Sequence, residues 1–442
     1  MIIRPPVSGP RSPFMIYLYH LISILACLIV APCFSLFSFL SRDKWRRLKD
    51  HFGFVPLDDV PEKAQKTIWF HALSLGEVVG ATPAIRLIRK DRPQDRIVVS
   101  VTTDSGFEAA KRKLPDIDVL MFHPLDCLPF TWSAIQRIQP DVFVLVDTGF
   151  WPGFIHILQL KGVPALLFNG RISSRSMRKY KIFGAFFSQL FNWFTMLCMQ
   201  NPHSRNGLES IGVDRSRLMV IGDPKFDTLP TLTKEKQDKV RQKLRIAPLS
   251  MVWVAGSTHE GEEEVILDVH ARLKEQFGNL TLVLAPRRLE RSFHTARIIM
   301  SKGISFVRRS DQWDKDGYDF SVLLLDTMGE LAEVYSICDF AFVGNSFVTP
   351  GGGHNLIEPV AYGKPVLFGP YVENNQHNAD ALIESGLGIK VSTADELEAA
   401  VRHWLSERTE LARLEGKAKG FVLHHQGASR RMADIIDDQL KG

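Results

Sequence analysis

"FAFVGNSFVTPGGGHNLIEPVAYGKPVLFGP", residues 340–370, holds a strand, a Gly-rich turn, a helix start and a second strand in 31 residues. Short apolar runs on either side of a helical pattern argue for a parallel βαβ unit. Gly351, Gly352 and Gly353 lead into His354 and Asn355, and Glu358 lies about one turn into the helix. A Gly-rich loop lets a ligand approach the backbone, and a helix start presents unpaired N–H groups and partial positive charge. This predicts a phosphate cradle over residues 351–355, with Glu358 accepting hydrogen bonds from ribose hydroxyls. Asn355 and Glu358 also have capping-box spacing, so an acid that merely ties down the helix start is the competing reading. Neither GxxxxGK[ST] nor a well-placed GxGxxG is present.

The same alternation runs outward through the chain. "TIWFHA", "RIVVSVTT", "VLMFH", "DVFVLVD" and "PALLFNG" read as buried strands, with a helical pattern from Val78 to Lys90 among the segments between them. After a polar stretch the pattern restarts with "MVWVAGS", "LTLVLAP", "ISFVRR", "SVLLLD", "FAFVG" and "PVLFG". The expected class is α/β, two Rossmann-like domains facing a cleft at the carboxyl ends of their sheets. Residues 1–45 form an N-terminal segment, 46–230 a first domain and 231–442 a second. The charged, helical stretch from about Asp395 could cross back to the first domain.

The 442 residues exceed one ordinary core. A hydrophobic content of 45% and a charged content of 23% are those of a globular protein. A net charge of +5 over this length does not predict nucleic-acid binding. The five cysteines are scattered without CxxC, which argues against a disulfide framework or zinc site. Met15 to Leu40 is apolar apart from His20, and is longer than the roughly 20 residues that cross a bilayer. "SRDKWRRLKD" follows, so the reading is an uncleaved membrane anchor with both domains in the cytoplasm. Pro32 leaves open a kinked or partly embedded helix.

Further constellations follow strand ends. "HALSLGEV" sets Ser74, Gly76 and Glu77 at a strand-to-helix turn. Glu77 suits a general base for a hydroxyl, kept ionised by the helix start, or an acid that complements the helix dipole. "VLVDTGFWPGF" puts Asp147 at another strand end, and "NGRISSRSMRKYK" gathers Arg171, Arg175, Arg178, Lys179 and Lys181. Such a cluster suits phospholipid or an anionic lipid substrate, or is a solvated basic face. Residues 180–194 offer aromatic and apolar side chains that could cradle acyl chains or form core. Arg287 and Arg288 follow a strand and suit a phosphate or carboxylate. Met328, Gly329 and Glu330 start a helix after another. Glu262, Glu263 and Glu264 read as mostly solvated first-turn acids. No HExxH, GxSxG or DxD motif stands in a convincing place.

Together these stretches resemble the 3-deoxy-D-manno-octulosonic acid (Kdo) transferase family of lipopolysaccharide assembly. The matching pieces run in order over nearly the whole chain: "HALSLGEV", "DTGFWPG", "NGRISSRS", "GDPKFD", "AGSTHEGEEE", "APRRLER", "DTMGELAEVY", "FVGNSFVTPGGGHNLIEP" and "GKPVLFGP". The resemblance implies a GT-B glycosyltransferase that needs no metal or cofactor. It implies inverting transfer of Kdo from CMP-Kdo to a lipid A precursor, lipid IVA, at the inner face of the inner membrane. Acceptor would bind the first domain and donor the second. Glu77 matches the family's base, with Asp147 as the fallback. Ser74, Gly76, Arg171 and Arg175 fall on the acceptor side. Arg287, Arg288, Met328, Gly329, Glu330, Gly352, Gly353, Asn355 and Glu358 match the CMP region, and Lys225 matches a lysine near the donor. The chain departs where the family shows acid–Thr–acid before Leu-Trp-Pro-Asn: here Asp147, Thr148 and Gly149 precede Phe150, Trp151, Pro152 and Gly153. That leaves as alternatives a GT-B enzyme with another sugar nucleotide or acceptor, and a membrane-anchored binding paralogue without transfer activity.

Overall fold

The computed structural model describes residues 14–38, 42–55, 64–147, 149–228, 233–311 and 320–441; the side chains of 30–38, 42–44, 174 and 175 lie outside that description. The chain divides into two compact units, residues 1–228 with Gln426–Gly442, and Leu229–His425.

The first unit is built on a seven-stranded parallel sheet: β1 Thr67–Ala72, β2 Arg96–Val101, β3 Val119–Phe122, β4 Val142–Val146, β5 Ala165–Gly170, β6 Met196–Met199 and β7 Leu218–Val220. Their order is β3-β2-β1-β4-β5-β6-β7. The order reverses between β1 and β4, and ligands of open α/β sheets bind beyond such a switch point. Both faces are covered, so β1 is buried throughout. Side chains alternate across the sheet. Ile68 and Phe70 join one apolar layer, which includes Met432 and Ile436 of the last helix. Trp69 joins the other, with Phe143 and Phe154.

The last helix, Ala428–Lys441, thus belongs to the first unit rather than to a 231–442 body. Asp227 holds its start, accepting from the N–H groups of Gly427 at 2.6 Å and Ser429 at 2.7 Å. Arg92 donates to Asp437 at 2.6 Å.

The apolar N-terminal stretch forms the helix Phe14–Ser38. Among the described residues no helix is long and apolar enough to cross a membrane, so the spanning anchor expected over Met15 to Leu40 is not found. The first turns of this helix are tied to the first unit. Ile16 is buried, the Tyr19 hydroxyl donates to Asp126 Oδ2 at 2.6 Å, and His20 Nε2 lies 2.9 Å from His156 Nδ1. Those positions share one helical face. Phe14, Tyr17, Leu18, Leu21, Ile22, Leu25, Leu28 and Ile29 are exposed around the rest. The basic flank is likewise docked: in the helix Arg42–His51, Leu48 is buried and Asp50 accepts from the Phe122 N–H at 3.0 Å.

The second unit repeats the architecture with β8 Met251–Thr258, β9 Leu280–Pro286, β10 Phe306–Arg308, β11 Val322–Leu324, β12 Phe340–Val343, β13 Val366–Phe368 and β14 Gly388–Lys390. All are parallel, in the order β10-β11-β9-β8-β12-β13-β14, with the switch between β8 and β12.

Candidate functional site

In the first unit the switch point gathers Glu77, Asp147 and Arg171. β1 leads through Leu73 into the helix Leu75–Asp91, whose N-cap is Ser74. Glu77, three positions in, folds back. Its Oε2 accepts from the Leu73 N–H at 2.5 Å, and its Oε1 lies 3.4 Å from Ser74 Oγ. Burial pushes its carboxyl up to about 7, and nearby Asp147 adds to the rise; the Leu73 N–H, Ser74 and Arg171 oppose it. The helix start therefore does not keep Glu77 fully ionised at neutral pH, as the sequence had suggested, because burial outweighs it.

Asp147 follows β4 with a left-handed φ of 62° and is buried, and Arg171 Nε donates to its Oδ2 at 3.0 Å. Asn169, at the end of neighbouring β5, has the same φ of 62°. Two non-glycine residues in this region at adjacent strand ends are strained backbone of the kind that clusters at functional sites. Beneath them lies a buried polar layer that sequence reasoning missed. Trp151 Nε1 donates to His71 Nε2 at 2.9 Å, tying the loop after β4 to the strand that delivers Glu77. His71 also contacts Ser100 O at 3.0 Å and stacks on His123 at 3.7 Å. Burial drives the His71 imidazole down to about 3, so it is neutral. The only sequence signal was a histidine inside an apolar strand.

Gly76 is exposed, with open space where a Cβ would stand. Arg175 lies outside the described side chains. Lys225 falls in the first unit, within the short helix Pro224–Thr228, where its N–H bonds Asp223. In the segment 180–194, Leu190, Phe191 and Phe194 are core, and only Ile182 and Phe183 stand exposed as large apolar groups.

In the second unit the Gly-rich loop differs from a phosphate cradle. The Gly352 N–H bonds Tyr371 O at 3.0 Å, the Gly353 N–H bonds Asn345 O at 2.7 Å and the His354 N–H bonds Gly344 O at 3.3 Å. These donors are used inside the fold. The glycines answer to packing: a Cβ on Gly351 would stand 2.3 Å from Tyr371 Cβ, and Gly352 has a φ of 132°. The helix that follows, Ile357–Ala361, has five residues and Leu356 as its N-cap. Asn355 Oδ1 accepts from the Ile357 N–H at 3.3 Å. Glu358 is half-buried, and its charge helps to raise Tyr335 and Tyr362, whose shifts come first from burial.

The loop instead brings side chains together. His354 Nε2 lies 3.0 Å from His259 Nε2, which follows β8 across the switch. Burial pushes His354 down to about 4, and Arg287 and His259 act in the same direction. Burial also lowers His259, opposed by Glu262 and assisted by Arg288, Arg287 and Arg291. Arg287 and Arg288 are exposed, and their guanidinium groups have no hydrogen-bond or ion-pair partner among the described residues. Two such arginines beside two histidines have the chemistry to take an anion. Met328 is 76% exposed, and Gly329 has a φ of 84°. Glu330 is already engaged, by Lys243 at 2.6 Å, Arg309 at 3.0 Å and the Thr327 hydroxyl. Burial alone would raise its carboxyl, but these partners hold it at about 2. Its carboxylate braces the turn.

The acids after β8 are the largest departure from the sequence reading. Glu262 and Glu263 are fully buried, not solvated. Glu263 accepts from Thr258 Oγ1 at 3.1 Å and pairs with Arg291 at 3.3 Å. Burial pushes it to about 7 against those contacts.

Residues 46–228 match a family model described as 3-deoxy-D-manno-octulosonic-acid transferase (kdotransferase). A 3-deoxy-D-manno-octulosonic acid transferase of Haemophilus influenzae is 33% identical over 433 residues, which cover 95% of this chain and 97% of that protein. The chain belongs to the Kdo transferase family. Its relative of the same description in Chlamydophila psittaci is 29% identical, over 86% of this chain and 87% of that one. Among solved structures, the UDP-GlcNAc 2-epimerase of Neisseria meningitidis bound to UDP-GlcNAc superimposes with a TM-score of 0.58 at 12% identity, covering 85% of this chain and 99% of that one. That likeness is one of fold alone. As a Kdo transferase the chain is a glycosyltransferase, and its departure at Gly149 has a structural counterpart: a Cβ there would stand 2.4 Å from Leu73 Cδ1. Leu73 fills the space that a side chain at 149 needs.

Proposed function

We propose that this Kdo transferase moves Kdo from CMP-Kdo to a lipid A precursor of the lipid IVA type, with inversion and without a metal, in lipopolysaccharide assembly. The observation that carries the reading is Glu77, a carboxyl poised near neutrality beside the Asp147–Arg171 pair at the switch point of the first sheet. In the step, an acceptor hydroxyl oxygen bonds to the anomeric carbon of Kdo. The bond from that carbon to the CMP phosphate oxygen breaks, and the electron pair leaves with CMP. The hydroxyl proton passes to Glu77. Arg171 and Arg175 take the acceptor's anionic groups, while Ser74 and Gly76 line its approach.

In the second unit Arg287 and Arg288 hold the phosphate, in place of the loop N–H groups. Asn355 and Glu358 take the ribose, and Met328 and Gly329 flank the base. The protein works at the cytoplasmic face of the inner membrane. The exposed apolar side chains of the helix Phe14–Ser38 embed in the phospholipid surface, and the basic residues Arg178, Lys179 and Lys181 are drawn to its anionic headgroups. Leu73 against Gly149 favours a second, narrower reading, the same donor with a modified acceptor. Radiolabel transfer from CMP-Kdo to a tetra-acylated lipid A precursor tests the proposal. Absence of transfer with folded protein refutes it, and transfer only to a modified acceptor selects the second reading.

A further inference from the structure

Glu262 starts the helix Glu262–Gln276 directly after the Gly261 N-cap, where φ is 87°. A first-turn acid usually faces solvent and complements the helix dipole. This one is buried and turned back across the switch point. Its Oε1 accepts from the N–H groups of Ser346 and Phe347, each at 2.9 Å, and its Oε2 from those of Asn345 at 2.8 Å and His259 at 2.9 Å. Four N–H donors on two oxygens fill a carboxylate's acceptor positions. Three come from the loop after β12 and one from the turn after β8. Asn345 is held at a φ of 57°, which an asparagine adopts at a cost. Asn345 O in turn accepts from Gly353, and Gly344 O from His354. The position of His354 against His259 thus depends on the segment that Glu262 grips at its start.

We propose that Glu262 is a positioning residue for donor binding. Its carboxylate locks the loop 344–354 to the turn at His259, and so fixes the His259–His354 pair beside Arg287 for the anionic part of a nucleotide sugar. The inference rests on the donor assignment above. Neither Gln nor Asp at 262 replaces this bridge. A Gln retains one accepting oxygen but turns its NH₂ toward two N–H donors, and an Asp is one methylene short of spanning both loops.

The test is calorimetric binding of CMP-Kdo to the full chain and to Glu262→Gln, with steady-state transfer on both. The expected result is a dissociation constant about 10- to 100-fold weaker, a raised KM for CMP-Kdo, and kcat at saturating donor and acceptor KM both within about threefold of the parent. Hydrogen exchange at residues 345–347, slow in the parent without ligand, is fast in the variant. Unchanged donor affinity with fast exchange at 345–347 overturns the proposal, as does an equal loss in kcat and in acceptor binding. If Glu262→Gln does not fold, Glu262→Asp probes the same bridge, since it keeps the carboxylate but is one methylene short of reaching both the turn at His259 and the loop at 345–347. The same donor-selective loss is expected there, and parental donor affinity refutes the idea. A parent protein that fails to bind CMP-Kdo refutes the donor assignment itself, a different outcome.

Discussion

Replacing Glu77 by Gln separates a base from a helix-start acid, because the two roles predict opposite changes in stability. The carboxyl rests at about 7 in the fold against an ordinary 4.5. Between those values the folded chain holds a proton that the unfolded chain releases, so stability falls as pH rises through the window. At 1.36 kcal/mol per pH unit the penalty above pH 7 is about 3 kcal/mol. A Gln keeps an oxygen for the Leu73 N–H and never ionises. Glu77→Gln should therefore gain about 1–3 kcal/mol at pH 8 and nothing at pH 4.5, where Glu77 is mostly protonated. Activity moves the other way. Loss of a positioned base lowers kcat by about 10²–10⁴-fold. In the parent, kcat should rise about tenfold from pH 6 to pH 8 as the base ionises, and this limb should vanish in the variant. Calorimetric unfolding at pH 4.5 and 8, with transfer from CMP-Kdo at both pH values, reads all of these. A variant that is less stable at both pH values and turns over at the parental rate refutes the reasoning, leaves Glu77 as a cap and moves the test to Asp147.

Other outcomes follow from single contacts. Glu358→Gln should weaken CMP binding by about 1–3 kcal/mol in calorimetry, with acceptor KM unchanged. Gly149→Glu should destabilise the first unit by about 1–3 kcal/mol through its clash with Leu73. Adding Leu73→Ala should restore most of that loss, so additive effects in the double-mutant cycle would show that the two do not touch. Leu21→Glu, Leu25→Glu and Leu28→Glu together should move the protein from membrane to soluble fractions in salt, while Tyr19 and His20 keep the helix docked. Retention on membranes would assign attachment to the basic cluster or another surface.

The alternation of strands and helices was legible because both sheets are covered on two faces, which turns each central strand into a short apolar run. Eleven runs were read where the sheets have fourteen strands. The three missed are β6, β7 and β14; the last, Gly388–Lys390, carries one apolar side chain in three and makes no run. The return of the last helix was visible only as an option, because Asp227, 200 residues earlier than Gly427, supplies its start. The apolar N-terminal run was over-read. Hydropathy registers Ile16 and Leu21 alike, yet one is buried in the first unit and the other stands exposed. Candidate positions at strand ends were named, but what their polar atoms bond was not: the loop N–H groups at 352–354 are spent on the carbonyls of Tyr371, Asn345 and Gly344, which the folding of the loop brings to them.

Glu77 and Glu262 show why such a site resists reading from sequence. Each stands in the first turn of the helix after the first strand of its unit, at the switch of its sheet, and each turns back to accept an N–H of its own strand-to-helix turn. Local sequence treats them alike. The difference lies in how many further donors reach them. Glu262 meets three more N–H groups, from a loop more than 80 residues away. With every acceptor position filled, that carboxylate acts as a clamp. Glu77 has one short N–H contact and one long hydroxyl contact, and Asp147 nearby makes its charge harder to hold. An under-bonded, partly buried carboxylate has both the acceptor position and the proton affinity that a base needs. By this reasoning, supplying Glu77 with a further donor, for instance through Gly76→Ser, whose side chain would enter open space, should pull its titration below 7 if the hydroxyl reaches the carboxylate. The limb of kcat against pH should then shift to lower pH, with a lower plateau because the base is weaker. A limb that moves to higher pH would contradict the donor-count argument.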